Sequence, residues 1–215
     1  MFRRLKQNIK EKTGRATTTK YTPEQDQAIL FTENSKKCVD DIHKSVEQLC
    51  HRWKGNNLTV TEEIGDPANV LSGKLPKGKY GVALRAVYEN QTEIGRLERR
   101  ANEEVNKTNE TVYKAWLKNE SQRARQIVSE LKTRRVDKDA CNSAYTQKAT
   151  PERQAQMEQA NAKFDEQLAI ADAEFVNFPT YQQNHARAIK AIAEALSKHF
   201  DECSQVAKKN AEKAK

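Results

Sequence analysis

Apolar residues recur at alternating steps of three and four along three long segments that are almost free of glycine and proline. In the first, Val39, Ile42, Val46, Leu49 and Trp53 keep this register, which continues through Asn57, Val60 and Ile64. A second, thinner stripe runs through Leu84, Val87, Gln91 and Ile94, then Ala101, Val105, Thr108, Val112, Trp116, Ile127 and Leu131. The third is the clearest: Met157, Ala160, Phe164, Leu168, Ala171, Phe175 and Phe178, resuming at Ile189, Ile192, Leu196, Phe200 and Cys203. Spacing of this kind over several heptads specifies long helices that bury one narrow stripe. Composition agrees, since only 36% of the 215 residues are hydrophobic and 32% are charged. That is too polar for a compact globule of this length, and the periodicity argues against disorder.

Breakers set the boundaries. Gly14–Thr19 is small and polar, a join between a basic stretch over 1–20 and a helical body over 21–215. Thr22-Pro23-Glu24-Gln25 combines a capping threonine, proline at the first helical position and Gln three residues on, a helix start. The first helix is expected over about 23–64. The cluster Asp66-Pro67, Gly73, Pro76, Gly78 and Gly81 predicts a loop over 65–81, with Gly65-Asp66-Pro67 ending the helix. A second helix is expected over about 82–147 and a turn at Thr146–Pro151. A third helix, over about 151–210, should kink at Pro179, which lacks an amide hydrogen. A helix of about 65 residues reaches roughly 100 Å. The fold class expected is all-α: three long kinked helices in an antiparallel coiled coil, its thin core completed by dimerisation.

Catalytic signatures are missing. His43, His51, His185 and His199 have no metal-ligand spacing, and neither a phosphate loop nor a nucleophile elbow occurs. Cys38, Cys50, Cys141 and Cys203 lie far apart, which points to reduced thiols rather than a disulfide or zinc framework. Neither enzymatic activity nor a metal or cofactor is expected. Without a signal-peptide pattern or an apolar run long enough to span a bilayer, a cytoplasmic protein that meets membranes peripherally is expected.

The net charge is +8, and most of it sits at the start. Arg3, Arg4, Lys6, Lys10, Lys12, Arg15 and Lys20 face Glu11 alone within residues 1–20. Phe2, Leu5 and Ile9 fall on one helical face, with Arg3, Arg4, Lys6, Lys10 and Lys12 mostly in other directions. A narrow apolar face on a basic helix describes an interfacial membrane segment. A solvated basic tail is the plainer alternative, and a nucleic-acid-binding arm would need the charges without the apolar face. A second basic cluster, between Ser121 and Gln154, contains Lys132, Arg134, Arg135, Lys138 and Lys148. Taken alone, it reads equally well as a solvated helix face.

Three places resemble the amphiphysin/Rvs branch of the BAR-domain proteins, those with an amphipathic N-terminus (N-BAR). Ile9-Lys10-Glu11-Lys12-Thr13-Gly14-Arg15-Ala16 is similar to the basic leader that precedes their first helix. Arg134-Arg135-Val136-Asp137-Lys138-Asp139, followed by Tyr145, looks like their basic cluster and Val-Asp-Tyr-Asp motif, with Lys138 in place of tyrosine. Phe178-Pro179-Thr180-Tyr181 resembles the kink of their third helix. The resemblance implies a crescent dimer with a central six-helix bundle, a homodimer or a heterodimer with a related BAR chain, binding anionic phospholipid membrane. Phe2, Leu5 and Ile9 would insert as a wedge. Arg3, Arg4, Lys6, Lys10, Lys12, Lys132, Arg134, Arg135, Lys138 and Lys148 would meet lipid headgroups. The implied role is sensing or generating membrane curvature, as in tubulation or endocytosis, with no nucleic acid expected. A nucleic-acid-binding or purely structural coiled-coil adaptor is the alternative.

Overall fold

The computed structural model describes residues 18–51, 58–75 and 78–213, and these are helical throughout apart from short turns. Helix α1 spans Pro23–His51, α2 Val60–Lys74 and α3 Lys79–Thr108. A π-helical segment, Asn109–Lys114, leads into the short α4, Ala115–Lys118. Then come α5, Glu120–Gln147, α6, Pro151–Phe175, and α7, Phe178–Lys213. The chain divides into two compact units, one made of residues up to Cys38 with Trp116–Gln182, the other of Val39–Ala115 with Gln183–Lys215.

In the first unit α5 and α6 run antiparallel. Arg153 donates to the Ala144 carbonyl at one end, and Arg123 donates to Glu174 at the other. Ile29, Val128, Leu131, Phe164 and Ala171 form the core, with Tyr21, Ile127, Leu168 and Phe175 packed against it. Local signals act as expected at the helix starts. Thr22 and Gln25 exchange hydrogen bonds in a capping box, and the Thr150 hydroxyl accepts from the Arg153 amide ahead of Pro151. Proline acts more sharply than a kink. Helix α6 stops at Phe175, and α7 begins at Phe178, so Pro179 falls in a first turn. There its missing N–H is no loss, and its ring meets no preceding helical carbonyl.

In the second unit the later part of α1 runs antiparallel to α3, with Val46, Cys50 and Val105 buried against Ile42, Ile192, Ala195 and Leu196. The side chains of His43 and Asn109 meet at 3.1 Å, and Asn109 is fully buried. Asn109 and Tyr113 both lie in the π segment, whose wider turn directs the Tyr113 hydroxyl to the His185 carbonyl at 3.2 Å. Single π turns of this kind commonly mark places where a side chain must be re-aimed.

The loop expected over 65–81 is a correction. Residues 65–74 are helical and belong to α2, with Pro67 in its interior. An interior proline costs about 3 kcal/mol in a helix, so other interactions must outweigh it. Thr59 and Glu62 form a complete capping box at the start of α2. Arg99 from α3 grips the Glu62 carboxylate with both guanidinium nitrogens, one at 2.6 Å. Gly65 is not a breaker here but a close-packing residue. A Cβ on it would stand 2.9 Å from the Gln91 Cβ, and one on Gly95 would meet Glu62 at 2.5 Å. Pro67 and Glu63 are both exposed, so water can satisfy the carbonyl that proline leaves without a donor. Ahead of α3, Gly78 has a φ of +153°, which favours glycine.

The heptad stripe is also divided. Val46, Val105, Leu131, Phe164, Ala171 and Phe178 are buried as the spacing predicts. Val60, Ile64, Val87, Ile189 and Phe200 belong to the same register but are exposed, Val60 at 67% and Phe200 at 66%.

Candidate functional site

Of the residues read as membrane contacts, Phe2, Arg3, Arg4, Leu5, Lys6, Ile9, Lys10 and Lys12 lie outside the described residues. The others all come from α5 or its end in the first unit, and α5 holds them in two seams rather than one patch. Lys132 and Arg135 turn toward the N-terminal part of the chain, where Lys132 pairs with Glu33. Arg135 reaches Asp139 at 3.3 Å. Arg134 and Lys138 lie on the side of α6. Arg134 pairs with Glu130 at 2.6 Å and lines a small hollow with Lys163. Lys138 reaches Asp165 at 3.5 Å, its ammonium 4.2 Å above the Phe164 ring. Lys148, just past α5, is exposed.

These pairs differ in kind. In Lys132–Glu33 and Arg134–Glu130 every side chain keeps at least about a third of its surface in water. Such pairs contribute about 0–1 kcal/mol, so a lipid phosphate can replace the carboxylate at little cost. Arg135–Asp139 is buried, with side chains 16% and 4% exposed. Burial makes that pair part of the folded core rather than an available cation. Lys20, Lys132 and Arg135 line an open groove of about 830 Å³ with Thr18, Ser129 and Thr133. Beside it, burial pushes the Tyr21 phenol up to about 12, against the lowering effect of the nearby Arg135.

A second arrangement in this unit stands at the break before α7. Arg123 donates to Glu174 at 3.0 and 3.2 Å and to the Tyr181 hydroxyl at 2.9 Å, and Tyr181 donates to Glu174 at 3.2 Å. The Arg123 guanidinium is held above its ordinary range chiefly by its hydrogen bonds to Glu174. This triangle ties the end of α6 to the start of α7. Nothing local in the sequence marks it, because Arg123 and Glu174 are 51 residues apart. The Arg135–Asp139 pair, by contrast, was open to reading from its i,i+4 spacing.

Among the described residues no group of three or more His, Cys, Asp or Glu side chains is placed to hold a metal ion. No described helix is long and apolar enough to cross a membrane. The BAR domain family model matches residues 1–214. The chain belongs to the BAR domain family. No curated protein matches it. BAR domains are helical, typically non-enzymatic modules that dimerise, bind membranes, and sense or generate membrane curvature. The all-helical architecture agrees with that membership.

Proposed function

We propose that this BAR domain forms a curved dimer through its second unit and that the dimer binds anionic membrane, generating or sensing curvature there. The observation that carries the proposal is the set of apolar residues that keep the heptad register yet stay exposed in one chain. Val60, Ile64, Val87, Ile189 and Phe200 all belong to the second unit, joined by Val70, Leu71, Leu75 and Val82. Exposed apolar residues in this number, on helices patterned for burial, fit a second copy of the chain or a closely related one.

In this reading the first unit and the leader meet lipid. Phe2, Leu5 and Ile9 insert as the wedge, and Arg3, Arg4, Lys6, Lys10 and Lys12 draw it to an anionic leaflet, each contributing about 1 kcal/mol. Lys132, Arg134 and Lys148 are the headgroup contacts of the folded body. Arg135 and Lys138 act mainly through folding, with their charges adding to the field.

Light scattering in moderate salt should report twice the 24.6 kDa chain mass. Ile64→Glu with Phe200→Glu should yield a helical monomer. A wild-type monomer would end the dimer proposal. Cosedimentation with phosphatidylserine vesicles, beside a gel shift with duplex DNA, separates lipid from nucleic acid as the polyanion. A Met1–Lys20 peptide should gain helicity on the same vesicles, and unchanged circular dichroism at saturating lipid removes the wedge.

A further inference from the structure

We infer that Asp139 is the positioning residue that roots the leader, fixing where residues 1–17 leave the folded body beside the cations of α5. The inference rests on the wedge reading above and adds the device that couples wedge to body. Asp139 sits in α5 with a side chain 4% exposed. A carboxylate buried that deeply needs donors, and an unmatched one is strongly destabilising. Its donors come chiefly from a residue 120 positions away. The Thr19 amide donates to both carboxylate oxygens, at 3.2 and 3.1 Å, and the Thr19 hydroxyl donates to one at 2.5 Å. Arg135 supplies a further donor at 3.3 Å.

Two neighbouring contacts extend the attachment. The Tyr21 ring packs 6.4 Å from that of Phe164 in the first unit's core. Thr22 then caps α1 through Gln25, whose amide also donates to Asp172 at 2.9 Å. Residues 19–22 therefore form a short strap, pinned at each end, between the leader and α1. A helix start needs only its cap, so the Asp139 contact has no role in starting α1. What it does is hold the chain against the groove lined by Lys20, Lys132 and Arg135. A leader leaving the body at that point starts next to Lys20 and Lys132, and one lipid surface can receive both it and them. With the strap loose, the leader would still bind lipid by its own charge, but its insertion would no longer be tied to the body.

The strap is read directly by trypsin on the full-length folded protein without lipid. Cleavage after Lys20 should be slow relative to cleavage after Lys12 and Arg15. In Asp139→Asn it should rise at least about fivefold, because a hydrogen-bonded charge is lost. Thr19→Ser keeps both donors and should behave as wild type, while Thr19→Val should fall between. Circular dichroism and thermal melting confirm that each variant is folded. Where Asp139→Asn does not fold, Thr19→Val carries the test.

The consequence is read on phosphatidylserine vesicles. Asp139→Asn should bind at least as well as wild type, since no leader charge changes and the body loses one negative charge, yet tubulate several-fold less. Removing residues 1–17 should reduce tubulation to the same low level, and Asp139→Asn should then cause no further loss. Loosened proteolysis with wild-type tubulation overturns the inference, as does an equal loss in the shortened chain. Unchanged proteolysis after Lys20 overturns it at the strap itself. If removing residues 1–17 leaves tubulation intact, the wedge reading falls, and the rooting role falls with it even where the strap is real.

Discussion

Both units use antiparallel helices, but they differ in which positions of the heptad stripe stay exposed. In the first, Phe31 packs 5.0 Å from Phe178, Phe175 lies 5.3 Å from the same ring, and the α5 cations are set against carboxylates. In the second, a hairpin of α2 on α3 is anchored by one buried carboxylate, while Ile64 and Phe200 stay 60% and 66% exposed. The first unit buries Phe164, Ala171 and Phe178 of its stripe, although Leu30, Ile170 and Val176 stay exposed. The second leaves Val60, Ile64, Val87, Ile189 and Phe200 of its stripe exposed.

The largest expected effect tests whether the first unit's cations are equivalent. Arg135→Glu would set a carboxylate against buried Asp139 and should destabilise the first unit by about 3–5 kcal/mol, the cost of breaking a buried pair. Arg134→Glu, one residue earlier, faces Glu130 with a side chain about a third exposed and should leave the melting temperature nearly unchanged. Its effect should fall on vesicle binding instead, by about 2 kcal/mol at low salt. That loss should shrink as salt rises, because exposed charges are screened. Equal thermal losses from the two substitutions would erase the distinction between exposed and buried cations.

The second unit's anchor should respond to acid. The Glu62 carboxyl is held below its usual 4.5, first by hydrogen bonds from Arg99, with burial opposing and the Thr59 amide assisting. A carboxyl depressed by folding stabilises fully above its unfolded pKa, and that stabilisation is lost as pH falls through the lower folded value. The protection of α2 amides against hydrogen exchange, measured relative to the intrinsic rate at each pH, should therefore be constant near neutrality and fall below about pH 4.5. Glu62→Gln should cost about 1.5–3 kcal/mol at neutral pH and abolish the acid step. An acid step that persists in Glu62→Gln would point to another group.

The smallest effects separate the glycines of α2. Gly73 has nothing within 4 Å of a Cβ added there. Gly73→Ala should stabilise α2 by about 0.5–1 kcal/mol, by reducing the freedom of the unfolded chain. Gly65→Ala should cost about 1–3 kcal/mol, since its Cβ would press on Gln91 at 2.9 Å. Thermal melts of the two variants should move in opposite directions.

The sequence by itself determined the all-helical class, the starts of α1 and α6, and the buried identities of Val46, Val105 and Phe164, while at Pro179 it indicated a kink where the helix in fact breaks. Each follows from signals that act within a turn or two: a 3.5-residue period, a cap three residues from its partner, an amide that proline lacks. Tertiary structure alone decided that Gly65-Asp66-Pro67 lies inside a helix, because Arg99 and the close approach of α3 outweigh a local breaker. It also decided that Lys132 finds Glu33, 99 residues away, and Thr19 finds Asp139, 120 away. Helix rotation and packing bring such partners together, and a local pattern carries no information about either. The same holds for the stripe itself: spacing marks Ile64 and Phe200 as apolar positions for burial, but only packing shows that one chain leaves them open.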